Sequence, residues 1–183
     1  MKTETMFRAL VVVLLLAVAV NLRAVNQRLR EISVQLQQPT PRPFSPQTDG
    51  LPLGTKAPDF TLQDLKGNSV SSKEWAGSGA VVVFVSPGCG ACDSLLAELS
   101  DISGGMALKL VVVSVGSREA SLSSYGVFDR LCIVVDEGGT VARRYANRVR
   151  PFAFVIGSDG VIKNKGIISS ARVLEALLGG PGK

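Results

Sequence analysis

The sequence predicts an α/β sandwich built on a mixed sheet, and three observations carry that expectation. Near-continuous β-branched runs at Ala80 to Ser86 and Leu108 to Val115 have the character of strands buried on both faces. Helical spacing follows the first of them, through Leu95, Leu96 and Leu99. Towards the C-terminus, two apolar runs are joined by Ser158-Asp159-Gly160, a turn with an antiparallel hairpin signature, so parallel and antiparallel pairings share one sheet.

The elements follow in order. Asp59 to Leu62 and Ser69 to Val70 flank Asp64-Leu65-Lys66-Gly67-Asn68, which predicts a hairpin. The strand Ala80 to Ser86 leads into a helix over Ala91 to Ser103, then the strand Leu108 to Val115 and a short helix over Ala120 to Tyr125. Leu131 to Val135 is a third strand and Thr140 to Ala146 a helix. Phe152 to Ile156 and Val161 to Ile167 form the second hairpin, and Ala171 to Leu178 closes the chain as a helix.

This domain, residues 54–183, is preceded by two other segments. Residues 1–36 hold the uninterrupted apolar run Ala9 to Val20, bracketed by Arg8 and by Asn21 and Arg23. The run covers about 18 Å as helix, short of the roughly 20 residues a span prefers, and alone it also suits the core of a signal peptide. Met6, Phe7 and Leu22 to Val25 lengthen it if the arginines snorkel, and Ala17-Val18-Ala19 lies inside the run rather than beyond it. An uncleaved N-terminal membrane helix is therefore expected, in contact with lipid and single-pass. With the N-terminus cytoplasmic, the rest of the chain is exported to the periplasm or cell exterior. Leu22, Val25, Leu29, Ile32 and Leu36 continue a heptad seam. That seam suits either a coiled-coil stalk making a homodimer or an amphipathic extension on the membrane surface. Residues 37–53 carry Pro39, Pro41, Pro43, Pro46 and Pro52 and predict an extended spacer.

Composition removes several functions. With no histidine in 183 residues, Ser-His-Asp and Cys-His triads and histidine-ligated metals are excluded. The net charge of +5 is scattered. Its one local group, Arg143, Arg144, Arg148 and Arg150, lacks interleaved aromatics, so a solvated face is expected and no nucleic-acid partner. No flavin or nucleotide motif is present, and neither a cofactor nor a metal is expected.

Chemistry concentrates at Cys89-Gly90-Ala91-Cys92, where the first buried strand turns into a helix. Unpaired N–H groups and the positive dipole end of a helix start favour a thiolate, which makes Cys89 a good nucleophile. Cys92, one turn on, lies on the same face within disulfide reach and can resolve a mixed disulfide. Gly88 and Gly90 let another polypeptide's backbone come close. A structural zinc site would need four ligands, and only Cys132 remains. A purely structural disulfide would more usually join distant segments. Cys132 itself, in the third strand, is expected to be a buried, inert thiol.

From Gly54 onward the chain resembles the thioredoxin-like thiol–disulfide oxidoreductases of the TlpA/ResA/MauD type, related to the AhpC/TSA redoxins. The matching motifs are Gly54 to Leu62 (Gly-Thr-Lys-Ala-Pro-Asp-Phe-Thr-Leu), the strand-to-Cys89-Gly-Ala-Cys92 junction, and Arg150 to Gly160 (Arg-Pro-Phe-Ala-Phe-Val-Ile-Gly-Ser-Asp-Gly). The resemblance implies a thioredoxin fold with an N-terminal β-hairpin extension and a central insertion. It also implies a cis-Pro151 packed against the cysteines, and an Arg150 backbone that pairs with substrate. Cys89 and Cys92 would then be catalytic, with Gly88, Gly90, Ala91, Arg150 and Pro151 forming the substrate surface. The substrates implied are protein dithiols or disulfides, reduction ranking ahead of oxidation or isomerisation, with a separate membrane electron donor or acceptor.

Three positions depart from that pattern. Val83 stands where thioredoxins carry a buried acid, Leu95 where many TlpA-type proteins carry Glu (Glu98 lies a turn further), and Gly88 where an aromatic often precedes the first cysteine. They make the site more apolar and leave a MauD-like oxidising or isomerising role open. Alternatives on the same fold fit less well. A peroxiredoxin-like peroxidase would need a Thr that the Ser86-Pro87-Gly88 approach lacks. A copper-delivery protein would pair C-x-x-x-C with a histidine, and an anchored scaffold would hold an idle disulfide.

Overall fold

A computed structural model describes residues 21–23, 27 and 49–179. Asn21 to Arg23 and Gln27 are helical. The apolar run Ala9 to Val20, most of the heptad seam and residues 37–48 of the spacer lie outside the described residues. Among the described residues no helix is long and apolar enough to cross a membrane.

Residues 49–179 carry a five-stranded mixed sheet in the order β5-β4-β3-β6-β7. Its strands are β3 (Ala80–Val85), β4 (Lys109–Val115), β5 (Cys132–Asp136), β6 (Phe152–Ile156) and β7 (Ile162–Ile167). β3, β4 and β5 run parallel, β6 is antiparallel to β3, and β7 is antiparallel to β6. A separate two-stranded hairpin, β1 (Thr61–Gln63) and β2 (Ser69–Ser71), precedes them. The helices are α1 (Gly90–Ile102), α2 (Arg118–Tyr125), α3 (Thr140–Arg144) and α4 (Ala171–Leu178).

The strand period of two sorts β3 between two cores. Val81, Val83 and Val85 pack with Cys92, Leu95, Leu96 and Leu99 of α1, Tyr125 of α2 and Leu174 of α4. Val82 and Phe84 face the other way, onto Val141 and Ala142 of α3, Tyr145, Phe60, Val70, Trp75 and the rings of Phe152 and Phe154. All six residues of β3 are fully buried, which is why its sequence shows no polar alternation.

Local chemistry sets several boundaries. The Ser71 hydroxyl and Glu74 carboxylate form a capping box on a 3₁₀ turn, Ser72–Trp75, that the sequence reading leaves unassigned. The predicted helix Thr140 to Ala146 is shorter, ending at Arg144. Its first turn is held by buried Asp136, whose carboxylate accepts from Val141 N (3.1 Å) and Ala142 N (2.8 Å). Cys132 is a correction: it opens β5 at the sheet edge and is half-buried, not buried. Burial still pushes its thiol above the ordinary 9.0; Lys109 opposes this, and Asp64 and Glu74 add to it.

Residues 49–53, which the sequence reading counts with the spacer, are tied to the domain. Gly50 N donates to Ala146 O (3.0 Å), Leu51 N to Tyr145 O (2.9 Å), and Lys165 Nζ to the Asp49 and Gly50 carbonyls. Gly50 lies at φ +73°, and a Cβ there would stand 2.5 Å from the Phe154 ring, so this backbone approaches the core as only glycine can.

Candidate functional site

β3 ends at Val85, and Ser86-Pro87-Gly88 turn the chain into α1. Gly88 makes that turn at φ +78°, exposed, with open space where a Cβ would be. Cys89 is the N-cap of α1: its backbone is extended, and its Sγ accepts from Cys92 N at 3.2 Å. A sulfur occupies the place a Ser or Asp oxygen commonly takes, at the end of the helix where N–H groups are unpaired.

Cys89 and Cys92 are joined as a disulfide, S–S 2.18 Å and Cα–Cα 5.2 Å. The two sulfurs differ in surroundings. Cys89 is partly exposed, flanked by exposed Gly88, Gly90 and Ala91, whereas Cys92 is wholly buried. Around Cys92 the cluster is apolar: Val83 and Leu95, the two positions without an acid, belong to it. Glu98 is engaged elsewhere, its carboxylate accepting from Ala171 N (2.7 Å) at the start of α4.

The sheet brings the remaining predicted residues to the same end. Phe84 of β3 pairs with Phe152 of β6, so Arg150 and Pro151, just before β6, stand beside the end of β3 from which Cys89 is presented. The Arg150–Pro151 peptide bond is cis, as the resemblance implies, and Pro151 is buried. Arg150 does not join a solvated face. Its Nη1 donates to Asn147 Oδ1 (2.7 Å) and Val149 O (2.9 Å), and its guanidinium carbon lies 5.7 Å from the centre of the Phe84 ring. Burial pulls the Arg150 pKa below its ordinary value, against the pull of Asp49 and Asp136.

Tyr125 was not singled out by its sequence context. It is fully buried on α2 and donates to Ser86 O, the carbonyl that also accepts Cys89 N (3.3 Å). Burial, with Asp93 adding, raises its pKa, so the hydroxyl keeps its proton and stays a donor. The contact spans 39 positions and has no local signal: the other buried residue of α2 is Ser121, while its one leucine, Leu122, is exposed.

Comparison with known proteins agrees with this geometry. Residues 53–165 match the family model described as the AhpC/TSA family. The chain is 24% identical over 155 residues to the methylamine utilization protein MauD of Paracoccus denitrificans, covering 82% of this chain and 76% of that one. It is 27% identical over 125 residues to the thiol-disulfide oxidoreductase ResA of Geobacillus kaustophilus, covering 66% and 72%. A solved structure of a putative thiol:disulfide interchange protein DsbE from Chlorobium tepidum superposes with TM-score 0.60 at 21% identity over 70% of this chain and 94% of that one, which shows the thioredoxin-like fold. The chain belongs to the AhpC/TSA family, as a redoxin of the TlpA/ResA/MauD type.

Proposed function

We propose that the protein is a membrane-anchored thiol–disulfide oxidoreductase that exchanges disulfides with exported protein partners through Cys89 and Cys92. The observation that carries the reading is the asymmetry of the pair: a partly exposed Cys89 at a helix N-cap bonded to a fully buried Cys92. The likeness to MauD and ResA supports the same chemistry.

In the dithiol form, the Cys89 thiolate attacks one sulfur of a partner's disulfide. One partner cysteine leaves as thiolate, and the other is bonded to Cys89. Cys92 then gives up its proton to solvent and, as thiolate, attacks the Cys89 sulfur, releasing the second partner thiolate and closing the intramolecular disulfide. Two electrons pass to the partner, and its two thiolates take protons from solvent. Gly88 and Gly90 have open space where a Cβ would be and Ala91 is exposed, which leaves room for the partner's chain, while the Arg150 backbone and Pro151 stand beside the same end of β3. Val83 and Leu95, packed with Cys92, are apolar and supply no carboxyl to the second step.

Reduction of partner disulfides is the direction we adopt, with the dithiol restored by a separate membrane donor. Residues 1–36 anchor the chain in lipid and place the redox domain on the periplasmic or outer side, where disulfides persist. Residues 37–48 space the domain from the bilayer, and the heptad seam offers a dimer contact.

Titration against dithiothreitol or glutathione, read by thiol alkylation, tests this. Cys89 and Cys92 should titrate together as a two-electron couple, tenfold in the ratio per about 30 mV, at a potential near the roughly −270 mV of thioredoxin. A couple near −120 mV would reverse the direction. Failure of the two cysteines to titrate together would remove the oxidoreductase reading.

A further inference from the structure

The Arg150 side chain has no part in the exchange chemistry, yet it is half-buried at the base of the segment that presents Pro151. Its Nε is buried without a hydrogen-bond partner, which disfavours the arrangement unless the rest of the group is well held. The rest is held. Nη1 is fixed by Asn147 Oδ1 and Val149 O, and the guanidinium lies over Phe84, two residues before Ser86 in the approach to Cys89. Asn147 is itself buried, and its Nδ2 donates to Asp49 Oδ2 (3.0 Å), which also accepts Arg148 N (3.2 Å). Asp49, 7% exposed, is fixed in turn by Lys165 Nζ on its carbonyl (2.7 Å). A continuous chain therefore runs from the first described residue of the domain, Asp49, through Asn147 to Arg150, and ends on the ring of Phe84, the penultimate residue of β3.

We propose that Arg150 is a positioning residue for exchange with polypeptide substrates: the Asp49–Asn147–Arg150 chain holds the Arg150–Pro151 backbone in register with the end of β3, so that a bound chain lies across Cys89. The inference rests on the oxidoreductase reading above. It makes the domain-proximal end of the spacer part of the support of the site rather than a passive tether.

Arg150 Nη1 meets two acceptors while the delocalised guanidinium stays over the Phe84 ring; a lysine ammonium could reach the acceptors but has no planar group to set over the ring. Misplacing a binding backbone weakens recognition of a chain but leaves the reaction with a small reagent that needs no such backbone.

The test uses the full chain and two reactions of the same cysteine pair. One is exchange with a disulfide-bonded peptide, and the other is reduction of the Cys89–Cys92 disulfide by dithiothreitol. Arg150→Met should lower kcat/KM for the peptide by roughly tenfold or more, chiefly through KM. Arg150→Lys should fall between Met and wild type. Asp49→Ala, which keeps Arg150 and empties the far end of the chain, should lower kcat/KM for the peptide to a smaller extent while the dithiothreitol rate stays within about twofold. If Arg150→Met and Asp49→Ala leave the peptide reaction unchanged, or if both reactions of Asp49→Ala fall together, the positioning role is overturned. A wild-type chain that reacts with dithiothreitol but with no peptide disulfide would instead defeat the oxidoreductase reading on which it rests.

Discussion

Reducing the Cys89–Cys92 disulfide perturbs stability in a way that reports the direction of exchange. The bonded residues are three apart and close a ring of four, small enough that its effect can be worked out. The chain-entropy relation gives about 6 cal/mol/K for that ring, or about 1.9 kcal/mol in favour of the oxidised fold at 25 °C. The reduced fold recovers part of this. The Cys89 sulfur keeps the Cys92 N–H, and a hydrogen bond to an anion is worth about 0.5–1.5 kcal/mol more than one to a neutral sulfur. Cys92, buried among Val83, Leu95 and Leu96, offers no comparable gain as an anion. The oxidised fold should then lead by about 1 kcal/mol. With an unfolding entropy of about 2.1 cal/mol/K per residue over roughly 130 residues, that is a Tm about 4 °C higher. By the same cycle the folded pair sits about 20 mV below its unfolded counterpart, on the reducing side. Thermal unfolding of the Cys132→Ser chain, oxidised and in excess dithiothreitol, reads the difference. A reduced form that melts several degrees higher would mean that thiolate stabilisation exceeds ring closure, and it would refute reduction as the direction.

Other expectations follow from single contacts. Tyr125→Phe removes the donor to Ser86 O and should lower stability by about 1 kcal/mol, read as a Tm lower by a few degrees with the disulfide intact. Gly79→Ala combines φ +82° with a Cβ placed 2.7 Å from the Ile156 carbonyl oxygen, and should lose about 2–4 kcal/mol in chemical denaturation. Gly88→Ala, at φ +78° in open space, should lose only the backbone term of about 1–2 kcal/mol. Cys132 has a thiol raised above 9.0 chiefly by burial, so in a Cys89→Ser/Cys92→Ser chain iodoacetamide labelling should be slow at pH 7 and climb only above pH 9. Because the folded state disfavours that thiolate, its contribution to stability is present below pH 9.0 and is lost as pH rises through the folded pKa; a chain that gains stability there contradicts the burial argument.

The parts of this fold that were legible in sequence are those set by local chemistry. β3 and β4 are β-branched throughout because both of their faces are covered, and α1 and α4 carry apolar residues at helical spacing; each was placed to within about two residues. The cysteine pair was legible for the same reason, since strand, glycine turn and helix are contiguous around it. What escaped depends on contacts distant in sequence. The helix α3 begins at Thr140 as expected but stops at Arg144, because Ala146 turns to φ +51° where Gly50 N bonds its carbonyl, and proline-rich composition hid the attachment of Asp49 and Gly50 to the Tyr145–Arg148 loop. Arg150 read as one of several surface arginines because nothing in its neighbours reveals Phe84 beneath it. Cys132 read as buried because its strand is apolar, but the strand is at the sheet edge and the cysteine is its first residue.

The central claim is that Cys89 attacks and Cys92 resolves. Cys92→Ser removes the resolving sulfur while leaving the nucleophile at the helix N-cap, so the first intermediate has no internal exit. Expressed as the full chain and quenched with acid and alkylating agent, Cys92→Ser should accumulate reductant-sensitive mixed disulfides with exported proteins. These should be absent from Cys89→Ser and from the double variant, and unaffected by Cys132→Ser. Equal trapping by Cys89→Ser, or adducts that disappear with Cys132→Ser instead, would contradict the account.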